Sequence, residues 1–311
     1  MIKKIVKSLL QFPADALIAS SKKLPERLDT HSYNAVLGNP CLTAKFYPYQ
    51  ADCASYLLPK VTREDQTPGA ELSIPPPDLR IHGRLDSKAY LTSGKIYVGK
   101  MIDILKTSGF SVEPGMRVLD FGCGDGMMVR NLREIAESGE AWGVDINGTE
   151  MTWCQQHLSP PFKFATTTSF PHLPFEEGYF DLIYSFSVFT HICDLAEAWL
   201  LELRRILRRG GVLYLTVHDN HSIDLLLNKH RGMRFSQQLD DAEKLLSFRN
   251  SDFAMFTLNR VPGGGIEHEG RQAQVFYDID YLCQHWGNYL KILSTTQEAY
   301  AYQTAVVLQK P

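Results

Sequence analysis

Residues 118–126 read Val118-Leu119-Asp120-Phe121-Gly122-Cys123-Gly124-Asp125-Gly126, an apolar run that turns into alternating glycines. The apolar stretch Met116–Phe121 predicts a buried strand, and the periodicity of 127–138 predicts a helix ending at Gly139. A glycine loop between a strand and a helix lets the backbone approach a ligand closely, because glycine has no Cβ and tolerates positive φ. The dinucleotide fingerprint at such a turn is GxGxxG, with pyrophosphate on the helix N-terminus. Here the spacing is GxGxG, and Asp120 and Asp125 stand beside it. Two carboxylates repel a pyrophosphate and suit a ligand carrying positive charge.

Working outward, strand and helix patterns alternate. Strands are predicted at 141–146, 162–165, 180–185 and 212–217, with helices at 149–158 and 195–207; Gly210-Gly211 precedes the last of these strands. Such alternation predicts a parallel sheet with right-handed crossovers. Upstream, Asp86 or Ser87 caps a helix running to about Ser108. Downstream, Tyr277–Trp286 reads as a helix, and 291–294 and 303–309 as closing strands. Residues 1–58 look helical and loop-like, and 60–80, with Pro75-Pro76-Pro77, reads as an extended linker. The organisation expected is an N-terminal helical lid segment and linker over 1–80. A catalytic domain follows over 86–311, with a polar, irregular insert at 220–275.

A second acidic residue defines the ligand further. Asp145 closes the second predicted strand, 25 positions after Asp120. That is near the ~20-residue offset at which a carboxylate accepts hydrogen bonds from ribose hydroxyls. The site therefore reads as ribose-binding, phosphate-free and tuned to a cation. S-adenosylmethionine, with a ribose, an ammonium and a sulfonium, fits.

At this point the sequence resembles the class I S-adenosylmethionine-dependent methyltransferases. The resemblance rests on VLDFGCGDG (118–126), WGVDING (142–148), LPFEEGYFDLIYS (173–185) with SVFTHI (187–192), and LLELRRILRRGGVLYLTV (200–217). It implies an α/β, Rossmann-like sheet of seven strands, mostly parallel with an antiparallel last strand and helices on both faces. It also implies S-adenosyl-L-methionine as cofactor. Asp120, Gly122 and Gly124 would hold the methionine end, with Cys123 filling space between the glycines. Asp145 would take the ribose hydroxyls and Ile146 would pack on adenine. Thr166 and Thr167 stand where many members carry an acidic residue near the adenine amine, a departure from the pattern. Ser185 and Phe186 would flank the methionine moiety, and Tyr90 and Gly94 match a helix that often lines the cofactor pocket.

Methyl transfer to a hydroxyl needs an aligned acceptor and a route for its proton. Candidate bases after the fourth and fifth predicted strands are His191, His218 and His221, since histidine titrates near neutral pH. Packing beneath the cofactor or a helix-capping role is the alternative for His191. Metal-dependent catechol-type enzymes carry a carboxylate where Ser185 stands, so no metal is expected. The loop Ser185-Phe186-Ser187-Val188 also lacks the Asn/Asp-Pro-Pro-aromatic pattern of enzymes that methylate amino groups of adenine or glutamine. The acceptor expected is a small molecule: a metabolite, a sugar or a natural-product intermediate, methylated on oxygen. N- or C-methylation and a non-catalytic methyltransferase-like partner subunit stay as alternatives.

Bland roles are expected elsewhere. Asp181 opens its strand, away from ligands, and Arg204, Arg205, Arg208 and Arg209 sit where cations complement a helix C-terminus. Glu267 and Glu269 read as a solvated loop. The 311 residues carry a formal net charge of -3, which offers no basic face for nucleic acid. Six scattered cysteines without a CxxC pair point to a reducing cytoplasm. Residues 1–23 read as a helix docked on its own protein rather than a membrane-surface helix, and no run approaches the ~18 apolar residues of a membrane span.

Overall fold

The computed structural model describes residues 44–47, 56–59, 71–80, 85–192, 195–228, 239–252, 254–259 and 273–311. The expected helix over 1–23 and the acidic loop at Glu267 and Glu269 lie outside them. The strands are β1 (Ala44–Tyr47), β2 (Tyr56–Pro59), β3 (Arg117–Phe121), β4 (Glu140–Asp145), β5 (Lys163–Thr166), β6 (Phe180–Ser185), β7 (Leu207–Val217), β8 (Met255–Asn259), β9 (Ala273–Tyr277), β10 (Lys291–Tyr300) and β11 (Gln303–Gln309). The helices are α1 (Ser87–Thr107), α2 (Arg133–Ser138), α3 (Gly148–Leu158), α4 (Ala196–Ile206), α5 (Asn220–Asn228), α6 (Leu239–Arg249) and α7 (Ile279–Trp286).

The main sheet runs β1-β2-β5-β4-β3-β6-β7-β11-β10. From β5 to β7 every pair is parallel. β11 pairs antiparallel with β7, and β10 antiparallel with β11. The seven strands β5 to β10 are thus the expected sheet, with β11 reversed. β3 is buried on both faces, which is why Val118, Leu119 and Phe121 form an apolar run rather than an alternation. Val118, Leu182, Tyr184 and Tyr214 face α1, while Leu119, Phe121, Ile183 and Leu215 face α4 and α7. Helices therefore cover both faces. Asp86 caps α1 by accepting the Ala89 N–H at 2.7 Å, as its sequence position predicts.

Four local expectations are corrected. Residues 44–47 and 56–59 are strands, not helix or loop: β2 pairs antiparallel with β5 at Leu57 and Thr166. A strand edge supplies those backbone bonds, and no local pattern reveals such a partner. The helix expected at 127–138 is a 3-10 turn (Val129–Asn131) followed by the short α2. Asn131 donates to the Met127 and Met128 carbonyls at 2.9 and 3.3 Å, occupying acceptors that a continuous helix would use. The insert is ordered into α5, α6, β8 and β9, where Ile223, Leu226, Leu245, Phe248 and Phe276 build a small core. Finally, β10 continues to Tyr300 because β11 pairs along it as far as Gln303.

Candidate cofactor and acceptor site

The chain leaves β3 for β4 and β5 on one side, then returns to β6 and β7 on the other. Strand order therefore reverses between β3 and β6. In open α/β sheets ligands bind outside the carboxyl ends of strands at such a switch point. Asp120 and Gly122, Asp145 and Ile146, Thr166 and Thr167, Ser185 and Phe186, and His218 stand at or just beyond those ends.

Asp120 is fully buried, and its Oδ2 accepts no hydrogen bond. Burial first, and then the Asp145 and Asp125 carboxylates, push its carboxyl well above the usual range. A buried carboxyl with one oxygen unbonded and no cation beside it fits a cationic ligand, which would supply the missing charge. Gly122 (φ +81°), Gly124 (φ +50°) and Gly126 (φ +80°) all use the left-handed region. A Cβ on Gly122 would sit 2.1 Å from Val188 Cγ2, so the loops after β3 and β6 touch across the switch point. Gly122 is thus required by a neighbouring side chain as well as by any ligand. The buried acid and the glycine cradle together fit the amino-acid end of S-adenosylmethionine.

Asp145 is half-buried at the rim. Its Oδ2 accepts the Gly124 N–H at 2.9 Å and its Oδ1 the Asn147 N–H at 2.8 Å. One carboxylate thereby pins the glycine loop and starts α3, while keeping lone pairs for a diol. Thr167 N–H donates to the Asp145 carbonyl at 2.9 Å, tying the end of β5 to the same corner. Ile146 is partly exposed beside it.

Other predicted residues act one step back. The Tyr90 side chain is fully buried and its hydroxyl donates to Asp125 Oδ1 at 3.1 Å, so it supports the loop rather than facing the cleft. Asp125 Oδ1 also accepts the Met127 N–H, which makes it a turn-forming residue rather than the cation site. Gly94 lets α1 close on the loop: a Cβ there would lie 2.4 Å from the Met127 carbonyl oxygen. Cys123 is buried behind the loop against Met151 and Gly143.

Of the three histidines, the structure brings two together. His191, half-buried after β6, lies close enough to His218 to depress its protonation, and its Nδ1 is 3.5 Å from Gln274 Nε2. His218 is stacked between Phe276 and Tyr302, with ring centroids 4.9 and 5.2 Å away. Burial, reinforced by His191, pushes its pKa down to about 3. With so low a pKa His218 is uncharged near neutral pH, a polar wall and a weaker base than an ordinary histidine. His221 is turned aside into a pair with Glu298 at 3.2 Å. Asp219 accepts from Ser222 and Thr304 as a helix-start residue. No group of three or more His, Cys, Asp or Glu able to hold a metal occurs among the described residues.

A family model described as a methyltransferase domain matches residues 119–215. The matched stretch runs from β3 to β7 and is thus a methyltransferase domain within the chain. Sterol 24-C-methyltransferase of Schizosaccharomyces pombe is 29% identical over 42% of this chain and 35% of its own length. Malonyl-[acyl-carrier protein] O-methyltransferase of Geobacter sulfurreducens is 25% identical over 60% of this chain and 68% of its own. The ubiquinone/menaquinone biosynthesis C-methyltransferase of Laribacter hongkongensis is 32% identical over 35% of this chain and 45% of its own. The chain thus spans about a third of the length of the sterol relative. No described helix is long and apolar enough to cross a membrane.

The methyltransferase domain also uses a residue that the sequence did not signal. Ser187 has φ +60°, a conformation costing a non-glycine residue on the order of 1 kcal/mol. Its N–H donates to Thr216 Oγ1 at 2.7 Å, and Thr216 donates to Gln303 Oε1 at 2.7 Å. Gln303 Nε2 returns to Ser187 Oγ at 2.7 Å, and Thr190 bonds the Ser187 carbonyl at 2.8 Å. This closed ring fixes the loop that carries Val188. Gln303→Leu leaves two partners, Thr216 Oγ1 and Ser187 Oγ, unsatisfied. It is expected to weaken S-adenosylhomocysteine binding about fivefold in calorimetric titration, with the protein still folded by circular dichroism. Unchanged affinity would remove the ring from the site.

The arginines near the amino ends of the strands are committed locally. Arg204 donates to the Tyr289 carbonyl, Arg205 pairs with Glu202, and Arg208 pairs with Asp181, whose other oxygen accepts the Arg117 N–H. Arg204 and Arg208, with Arg209, line an open cleft with Glu177 and Lys310, beside the start of β7 rather than its carboxyl end.

Proposed function

We propose that the protein transfers a methyl group from S-adenosylmethionine to a small-molecule acceptor, on oxygen and without a metal. The observation that carries this reading is the buried Asp120, its Oδ2 without a partner and no cation beside it, at the β3/β6 switch point next to a rim carboxylate at Asp145. Asp120, Gly122 and Gly124 hold the amino-acid tail, Asp145 the ribose, Ile146 with Thr166 and Thr167 the adenine side, and Ser185 with Phe186 the sulfur region. Bound there, the cofactor supplies an electrophilic methyl group on sulfonium. The chain's own residues align the acceptor and exclude water. His191 takes the acceptor's proton, and the neutral His218 forms a polar wall that avoids placing a second positive charge beside the sulfonium. The insert from α5 to β9 covers the acceptor end, through the pairing of His218 with Phe276.

Carbon methylation is the second reading, favoured by the names of the sterol and quinone relatives. The test is transfer of labelled methyl from S-adenosylmethionine into fractionated small-molecule extracts, with and without a chelator. Label in a small molecule, undiminished by chelator and released by ether- or ester-cleaving hydrolysis, is the expected result. Label resistant to such hydrolysis moves the assignment to carbon or nitrogen. No transfer alongside tight S-adenosylhomocysteine binding turns it to a non-catalytic partner subunit.

A further inference from the structure

Asp120 does not stand alone on its face of the sheet. In the parallel pairing of β3 with β6 it lies in register with Tyr184, and Tyr184 lies in register with Tyr214 on β7. All three are buried, in a layer covered by α1. Asp120 Oδ2 and both phenol hydroxyls complete no hydrogen bond, although the Tyr184 hydroxyl lies beside the Asp120 carboxyl. Three in-register polar groups left open under a helix are unusual, because each costs free energy when water is removed.

We propose that Tyr184 is a positioning residue for Asp120: its phenol holds the carboxyl in the orientation and ionised form that receives the ammonium of the cofactor's amino-acid tail. This rests on the cofactor reading above. The physical reason is charge. A buried carboxylate with no cation nearby is costly; Asp145 at the end of β4, Asp125 in the loop and the Cys123 thiol add no positive charge, and besides Tyr184 only the Val129 backbone favours the charged form. The Tyr184 phenol opposes that trend by favouring the charged form. On the α1 side Tyr90 is engaged with Asp125. The phenol is thus the group on the neighbouring strand that makes Asp120 easier to ionise.

The sign follows. The form that binds an ammonium is the carboxylate. Affinity for an ammonium-bearing ligand is full above the pKa of Asp120 in the free protein and falls as pH drops through it. Removing the phenol raises that pKa, so the fall begins at higher pH.

The experiment titrates the intact protein with S-adenosylhomocysteine and with 5′-methylthioadenosine, which lacks the amino-acid tail, across the whole pH range over which the protein stays folded by circular dichroism. Tyr184→Phe is expected to move the midpoint of S-adenosylhomocysteine affinity upward by about one pH unit. Methylthioadenosine binding stays as in the parent protein. Tyr214→Phe, next in the row, leaves the midpoint in place, and Asp120→Asn removes it in either background. An unmoved midpoint in Tyr184→Phe, or an equal loss for both ligands, overturns the proposal. If the parent protein binds neither ligand, the cofactor reading itself falls, and this inference with it.

Discussion

Gly122→Ala is expected to weaken S-adenosylhomocysteine binding at least tenfold in calorimetric titration. Two causes act together. At φ +81° a residue with a Cβ costs about 1–2 kcal/mol. The new methyl group would also stand 2.1 Å from Val188 Cγ2, far inside van der Waals contact, so one of the two loops must move. Tenfold in affinity is only about 1.4 kcal/mol, which the two adjustments together exceed where they fall on the binding-competent form. Because the obstacle is a side chain, the variant pair is informative. Val188→Ala removes Cγ2, so Gly122→Ala/Val188→Ala should recover part of the loss. If Gly122→Ala alone binds as the parent protein does, the cleft lies elsewhere.

Asp145→Ala is the second large loss, again at least tenfold. The carboxylate is proposed to accept the ribose hydroxyls while it already accepts the Gly124 and Asn147 N–H groups. Hydrogen bonds to a charged group contribute about 1.5–3 kcal/mol each, so losing the ribose pair alone exceeds a tenfold change. Loop loosening would add to it. The two contributions separate with a ligand lacking the ribose hydroxyls: it should bind the parent protein weakly and lose little more affinity in Asp145→Ala. An equal further loss would mean that Asp145 acts only by pinning the loop.

How much of this was legible in the chain depends on the distance over which each feature is fixed. Asp86 as a cap, the apolar run into Gly122 and the strand ending at Asp145 are local. Their residue types decide them within a few positions, and the structure agrees. The helix expected from Met127 failed for a local reason too, the Asn131 side chain bonding the Met127 carbonyl, but periodicity does not report such competition. His218 was placed correctly at the end of β7, but its lowered basicity was not legible there. Its burial, the main cause, comes from a setting that includes Phe276 and Tyr302, 58 and 84 residues further along.

The sequence by itself determined an α/β alternation, a glycine loop whose spacing departs from the dinucleotide fingerprint, and the two carboxylates beside it. These follow from backbone sterics and charge, which act between near neighbours. Only the tertiary structure decided which groups share the site's surroundings. It joined Gln303 to Ser187, Val188 to Gly122 and Tyr184 to Asp120, and it added β2 to the edge of β5. Each of those pairings is made by strand register or loop contact across the sheet. Register is set by the packing of whole faces, and no short stretch of sequence carries it.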